Sequence, residues 1–238
     1  MLDLVAQNAI ETLFEVSFRN PDIVCQALTT RNRYFNVEPD TGCSERMELL
    51  GDAVLRLLVV EYLHKKLYSG GEGKITLIID RVVTNQRMGQ IARMLGIDKL
   101  IRMGPHDPLP SVEYDATNKL HSDALEAIFG AIVLDQGRDK GLECIECFLK
   151  KYLFPTCDGL LHLGFYELMS PKNRVQILVH QQFQREAKYV TGFVKRDSEY
   201  VSECIVGKNV LGRGRGQNRK DAECEAAENA LAVYFAEK

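Results

Sequence analysis

The sequence predicts two folds in tandem. An all-α domain spans residues 1–156, a linker 157–170, and a small α+β domain 171–238 in the order α-β-β-β-α. Three observations lead there. Apolar residues recur at helical spacing almost as far as Leu153. Tyr189–Val194 and Tyr200–Val206 are instead rich in β-branched and aromatic residues and read as strands. Charge divides at the same place: Pro171–Lys238 holds 12 Lys and Arg against 9 Asp and Glu, net +3, while the whole chain is −3. The part before it is therefore net −6. With 238 residues, 45% of them hydrophobic, the chain has room for one medium and one small core.

The elements follow in order. Leu2–Val16 carries a helical apolar pattern that Asn20-Pro21-Asp22 breaks, and Ile23–Leu28 reads as a second, short helix. Asn32–Ser44, with Pro39, Asp40 and Gly42, reads as a loop, and Ser44 as the N-cap of the next helix. That helix runs from Glu45 to Leu67 and stops at Ser69-Gly70-Gly71. Lys74–Leu95 keeps one helical period throughout and reads as a single helix closed by Gly96. Gly104–Pro110 has three prolines and reads as a loop. A long helix through Asp123 and Glu126 follows, ended by Gly137, and Leu142–Leu153 forms one more. In the second domain Lys172–Phe183 reads as a helix, Gly207-Lys208-Asn209 as a hairpin turn into a short third strand, and Asn218–Phe235 as an alanine-rich helix.

The chemistry concentrates in two stretches. In ERMELLGDAVLRLL (45–58), Glu45, Glu48 and Asp52 are spaced three and four apart and share one helical face. In DALEAIFGAIVL (123–134), Asp123 and Glu126 do the same, among the small residues Ala124, Ala127, Gly130 and Ala131 that permit close helix packing. Carboxylates embedded in apolar helices repel one another and lose hydration. A hard divalent cation with oxygen preference, such as Mg²⁺, relieves both costs and can promote phosphodiester hydrolysis. The plainer alternative is a solvated acidic helix face.

Other signals are negative. The seven cysteines have no regular spacing and read as reduced thiols of an intracellular protein. Cys144 and Cys147 make one CxxC on a helix without a second ligand pair, a poor zinc site. No stretch approaches the ~20 apolar residues that span a membrane.

These stretches resemble a known family. ERMELLGDAVL resembles the ribonuclease III signature ERLEFLGDAVL, and HSDALEAIFGAIVLD resembles that family's second acidic motif, ADxFEAxxGAIYLD. LGRGRGQNRKDAECEAAENAL (211–231) resembles GxGxGxSKKxAExxAAxxAL of the double-stranded RNA-binding domain. The resemblance covers Leu2–Phe154 and Pro171–Lys238. It implies an all-α ribonuclease III endonuclease domain and a double-stranded RNA-binding domain. The implied activity is Mg²⁺-dependent hydrolysis of double-stranded RNA, with Mn²⁺ able to substitute and no small-molecule cofactor, leaving 5′-phosphate and 3′-hydroxyl ends.

By the same resemblance Glu48, Asp52, Asp123 and Glu126 are catalytic metal ligands. Glu45 is a supporting acidic position, and Glu72, in the EGK stretch, a further ligand. Gln176, Arg213, Arg215, Asn218, Arg219 and Lys220 contact RNA, with Asn218 also capping its helix. Leu49 takes the place of an aromatic plug at a homodimer interface. Thr30 replaces the family's usual His, Ile79 stands where the family usually has an Arg, and Lys195–Glu199 is shorter than the family loop and lacks its Pro and His. The expected setting is the cytoplasm, a host's if the chain is viral, without membrane contact. The rival reading is a non-catalytic double-stranded RNA-binding or ribonucleoprotein component of the same fold.

Overall fold

A computed structural model describes residues 2–34, 44–67, 71–107 and 114–236. The chain forms two compact units, Met1–His162 and Leu163–Lys238. Among the described residues no helix is long and apolar enough to cross a membrane.

The first unit is helical: α1 (Leu2–Phe14), α2 (Asp22–Ala27), a 3₁₀ turn (Arg31–Tyr34), α3 (Glu45–Lys66), α4 (Gly71–Val82), α5 (Asn85–Met94), a 3₁₀ turn (Ile97–Leu100), α6 (Tyr114–Gln136), α7 (Arg138–Tyr152) and α8 (Phe154–Leu161). Helix α6 is the axis. Helices α2, α3, α5 and α7 all pack on it. Ala124, Leu125, Ala127, Ile128, Phe129, Ala131 and Ile132 are all buried. A helix apolar on every side is a helix buried on every side. Phe129 meets Phe14 and Phe148 edge-on at 6.0 and 5.5 Å, which ties α1 and α7 to the same core. At Gly137, with φ +83°, the chain leaves α6 and enters α7.

The crossing of α3 over α6 is unusually close. A Cβ on Gly51 would run into the carbonyl oxygen of Glu126, and one on Gly130 into that of Met47. Two glycines facing each other's helix backbones thus bring the acidic faces of α3 and α6 together.

The structure corrects three sequence expectations. Lys74–Leu95 is two helices, because Thr84 takes extended backbone and its hydroxyl accepts the Arg87 N–H at 3.2 Å. The helical period continues on both sides, so period alone could not show the break. Residues 157–170 are not a plain linker: α8 reaches Leu161 with Cys157 fully buried, and Leu168 is buried in the second unit. Tyr62 stacks on Phe154 at 3.9 Å and fixes α8 to α3. Ser44 precedes α3 in helical backbone, and its side chain makes no capping bond. Thr30 braces the fold. Its hydroxyl donates to Asp107 at 2.5 Å, and Asp107 also accepts from Asn32 and Gly104. The Asn32–Ser44 loop expectation falls largely on residues outside those described, as does Pro108–Pro110.

The second unit consists of α9 (Phe165–Leu168), α10 (Pro171–Phe183), β1 (Lys188–Val194), β2 (Glu199–Val206), β3 (Asn209–Gly216) and α11 (Arg219–Ala236). The strands form an antiparallel sheet in the order β1-β2-β3. Its core is Val175 and Val179 of α10, Cys204 and Val206 of β2, and Ala226, Ala227, Ala230 and Leu231 of α11. Val194 pairs with Glu199, so the first hairpin closes tightly over 195–198, as its short sequence suggests. The third strand is as long as the second, eight residues, because the Gly-Arg run continues the ladder. A Cβ on Gly212 or Gly214 would strike the α11 backbone at Ala226, and one on Gly216 would strike it at Ala222. Glycine is there to let α11 lie against the strand.

Candidate active site

Five acidic side chains predicted from sequence line one cleft of about 510 Å³: Glu45, Glu48 and Asp52 from α3, Asp123 and Glu126 from α6. Leu49, Arg56, Lys119 and the α4–α5 junction, Val83–Asn85, complete its wall. Glu48, Asp123 and Glu126 each offer a carboxylate oxygen within 4.8 Å of the others. The spacing of three along α6 and the glycine-tight crossing of α3 produce that convergence.

The electrostatics match a site built for a cation. Burial pushes the Glu126 carboxyl up to about 7; a hydrogen bond from Ser122 at 2.9 Å opposes this, and the charges of Asp52, Asp123 and Glu48 add to it. Burial also raises Glu48, assisted by Asp123, and raises Asp123 against the pull of Lys119. Desolvated carboxylates with only oxygen donors suit a hard divalent ion.

Asp52 lines the same cleft but faces Arg56, whose Nε lies 2.9 and 3.1 Å from its two oxygens. Glu45, exposed at the start of α3, pairs with Arg31 at 3.4 Å. Sequence reading missed the cations Arg56 and Lys119, although Asp52–Arg56 and Lys119–Asp123 are both legible as i,i+4 pairs. It also missed Ser122, fully buried beside Glu126, although this too is an i,i+4 pair.

Glu72 is the main correction. It stands exposed in the first turn of α4. The cleft is reached by the other end of that helix, at Val83. Ten residue steps of helix separate Glu72 from Val82, a rise of about 15 Å along the axis. Glu72 is neither in the cleft wall nor among the carboxylates that converge.

The RNA-facing residues divide as well. Asn218 caps α11: its Oδ1 accepts the Asp221 N–H at 2.9 Å, and its Nδ2 donates to the Asp221 carboxylate at 2.8 Å. Arg219 and Lys220 follow, both exposed. Just behind them Glu223 accepts from Lys172 at 2.6 Å and from Thr191 at 3.1 Å, and the Lys172 ammonium holds its carboxyl below the usual range. Arg213 and Arg215 alternate with the glycines that face α11, so they point from the opposite face of the sheet. There they pair with Glu203 at 2.8 Å and Glu199 at 3.9 Å. They do not join Arg219 and Lys220. Gln176 is half-buried, and its Oε1 accepts the Ala187 N–H at 3.1 Å, which leaves only its amide donors to reach outward.

Comparison with known proteins decides the family. Residues 20–153, more than half the chain, match the family described as Ribonuclease-III-like. The chain belongs to the ribonuclease III family. Residues 171–234 of this ribonuclease III match the Double-stranded RNA binding motif. It is 30% identical over 235 residues to Ribonuclease 3 of Latilactobacillus sakei, covering 97% of this chain and 98% of that one. It is 31% identical to Ribonuclease 3 of Leuconostoc mesenteroides over 92% of each. The solved nuclease domain of the Campylobacter jejuni ribonuclease III is similar over 62% of this chain and 97% of its own, with 29% identity and a TM-score of 0.51. The chain is an endoribonuclease for double-stranded RNA, and its nuclease unit contains the acidic cluster.

Proposed function

We propose that this ribonuclease III cleaves double-stranded RNA with Mg²⁺ held by Glu48, Asp123 and Glu126, with Asp52 joining them and Mn²⁺ able to replace Mg²⁺. The observation that carries this is the convergence of three carboxylates from two helices to within 4.8 Å, with oxygen donors only. A bound divalent ion supplies a more acidic water and stabilises the charge that develops on a phosphodiester. The chain's own residues do the rest. Ser122 orients Glu126, Arg56 holds Asp52 at the cleft wall, and Val83–Asn85 bound the space in which a scissile phosphate would sit. Products with 5′-phosphate and 3′-hydroxyl ends follow from attack by water that expels the 3′ oxygen. The test is end-analysis of a cleaved RNA duplex in Mg²⁺, in Mn²⁺ and in Ca²⁺. Cleavage is expected in the first two; Ca²⁺, larger and looser in geometry, is expected to allow RNA binding without cutting. Full cleavage in Ca²⁺ or in chelator would refute the metal assignment.

The functional unit is proposed to be a homodimer, each site cutting one strand. Leu49 is 74% exposed, and Ala53, Leu57 and Val60 continue the same stripe along α3. An apolar stripe of this kind beside an active site suits a second copy. Leu49→Asp would place a charge in that contact. Sedimentation is expected to shift from dimer to monomer, and an unchanged dimer would remove Leu49 from the interface.

RNA docking is proposed to run through the start of α11, where the helix dipole already attracts phosphate and Arg219 and Lys220 add two charges. The double variant Arg219→Ala/Lys220→Ala should bind duplex RNA more weakly regardless of sequence. The log–log salt slope should flatten by up to about two. Arg213→Ala/Arg215→Ala, on the other sheet face, should leave the slope unchanged. Reversal of that ranking would mean the module engages RNA by the sheet.

A further inference from the structure

Lys119 sits one turn before Asp123 on α6, and its side chain reaches across the crossing toward α3. Its ammonium lies 2.5 Å from the Asp123 carboxylate and 3.9 Å from that of Glu48. These are two of the three carboxylates that converge to offer oxygens to a cation. Five acidic and two basic side chains line the cleft, and they divide their roles sharply. Arg56 pairs within α3, with Asp52. Lys119 pairs with carboxylates of both helices, Asp123 of α6 and Glu48 of α3. Its side chain is 58% exposed, so the ammonium has a path out to solvent. A lysine is a mobile point charge on a flexible stem, which distinguishes it from a rigid guanidinium fork.

We propose that Lys119 is an exchangeable internal counter-ion. It neutralises the carboxylates while no metal is bound, and it is displaced when a divalent cation takes their oxygens. This rests on the reading of Glu48, Asp123 and Glu126 as the metal site. Two consequences of opposite sign follow. Without metal, Lys119 stabilises the fold by separating charges that would otherwise repel across α3 and α6. With metal, it competes for the Asp123 and Glu48 oxygens, so it weakens divalent-ion affinity and sets the concentration range in which the enzyme is loaded. A lysine that only braced the helices would support both states, and its loss would lower stability and metal affinity together.

The test is direct Mn²⁺ binding to the full chain without RNA, by calorimetry and by the electron paramagnetic resonance of free Mn²⁺, together with melting of the metal-free protein. Lys119→Met and Lys119→Gln should bind Mn²⁺ more tightly, by roughly fivefold, the scale of a partly exposed ion pair. Both should melt lower than wild type without metal and gain more on saturation. Lys119→Arg, which keeps the charge, should stay near wild type in affinity. Unchanged or weaker Mn²⁺ binding in both neutral variants, with wild type binding normally and Asp123→Asn abolishing it, would overturn the counter-ion role alone. Failure of wild type to bind Mn²⁺, or binding that survives Asp123→Asn, would overturn the metal site itself and this inference with it.

Discussion

Replacing Glu126 with Gln is expected to abolish cleavage while making the metal-free protein more stable at neutral and alkaline pH. The two effects share one cause. Glu126 is 8% exposed and sits among three other carboxylates, and its ionisation is pushed from the ordinary 4.5 up to about 7. A carboxyl whose value is raised in the folded state favours folding below its unfolded value. That contribution is lost as pH rises through about 7, because the fold must then hold an ion it disfavours. The penalty at pH 8 is on the order of 3 kcal/mol. Gln keeps the size and can still accept the Ser122 hydroxyl, but never ionises. The melting temperature of metal-free Glu126→Gln at pH 8 should therefore exceed wild type by roughly 5–10 °C. The two should converge near pH 5. Residual slope belongs to Glu48 and Asp123, raised for the same reason. Cleavage should fall on the order of 10³-fold, since a lost ligand removes several kcal/mol of transition-state stabilisation. Wild-type cleavage by this variant, or a lower melting temperature than wild type at pH 8, would contradict the assignment.

Gly51→Ala should be among the most damaging small substitutions in the nuclease unit. In an isolated helix the change would help by about 1 kcal/mol through propensity. Here the new methyl meets the carbonyl oxygen of Glu126, part of another helix's backbone, which cannot turn aside as a side chain could. Overpacking of this kind typically costs about 1–3 kcal/mol or more, and it outweighs the propensity gain. Because Gly51 lies between Glu48 and Asp52, separating the helices also pulls the α3 carboxylates from those of α6. Urea melts should show a loss of at least about 2 kcal/mol. Mn²⁺ affinity should fall even under conditions where the variant is fully folded. Gly159→Ala is the control: its Cβ would meet nothing on α8, and it should be neutral or slightly stabilising. A Gly51→Ala protein as stable and as metal-binding as wild type would show that the crossing is looser than described.

Much of this was legible in the residues. Spacings of three and four put Glu45, Glu48 and Asp52 on one face of α3 and Asp123 and Glu126 on one face of α6, because helix geometry is local. Asn218 as a cap, and the alternation of strand residues, were legible for the same reason. What lay beyond the sequence was every relation between elements. That Glu48, Asp123 and Glu126 meet within 4.8 Å depends on a backbone contact at Gly51 and Gly130, and sequence shows only that these residues are small. The family resemblance matches Glu72 to a ligand position; the structure leaves it outside both the cleft lining and the converging carboxylates. By the family resemblance Arg213 and Arg215 are grouped with Arg219 and Lys220. A strand's two-residue period sends them to the other face, and only the docking of α11 decides which face that is. Lys119 was visible as a charge. The structure shows that it bridges α3 and α6, because its second partner, Glu48, lies on a helix far earlier in the chain.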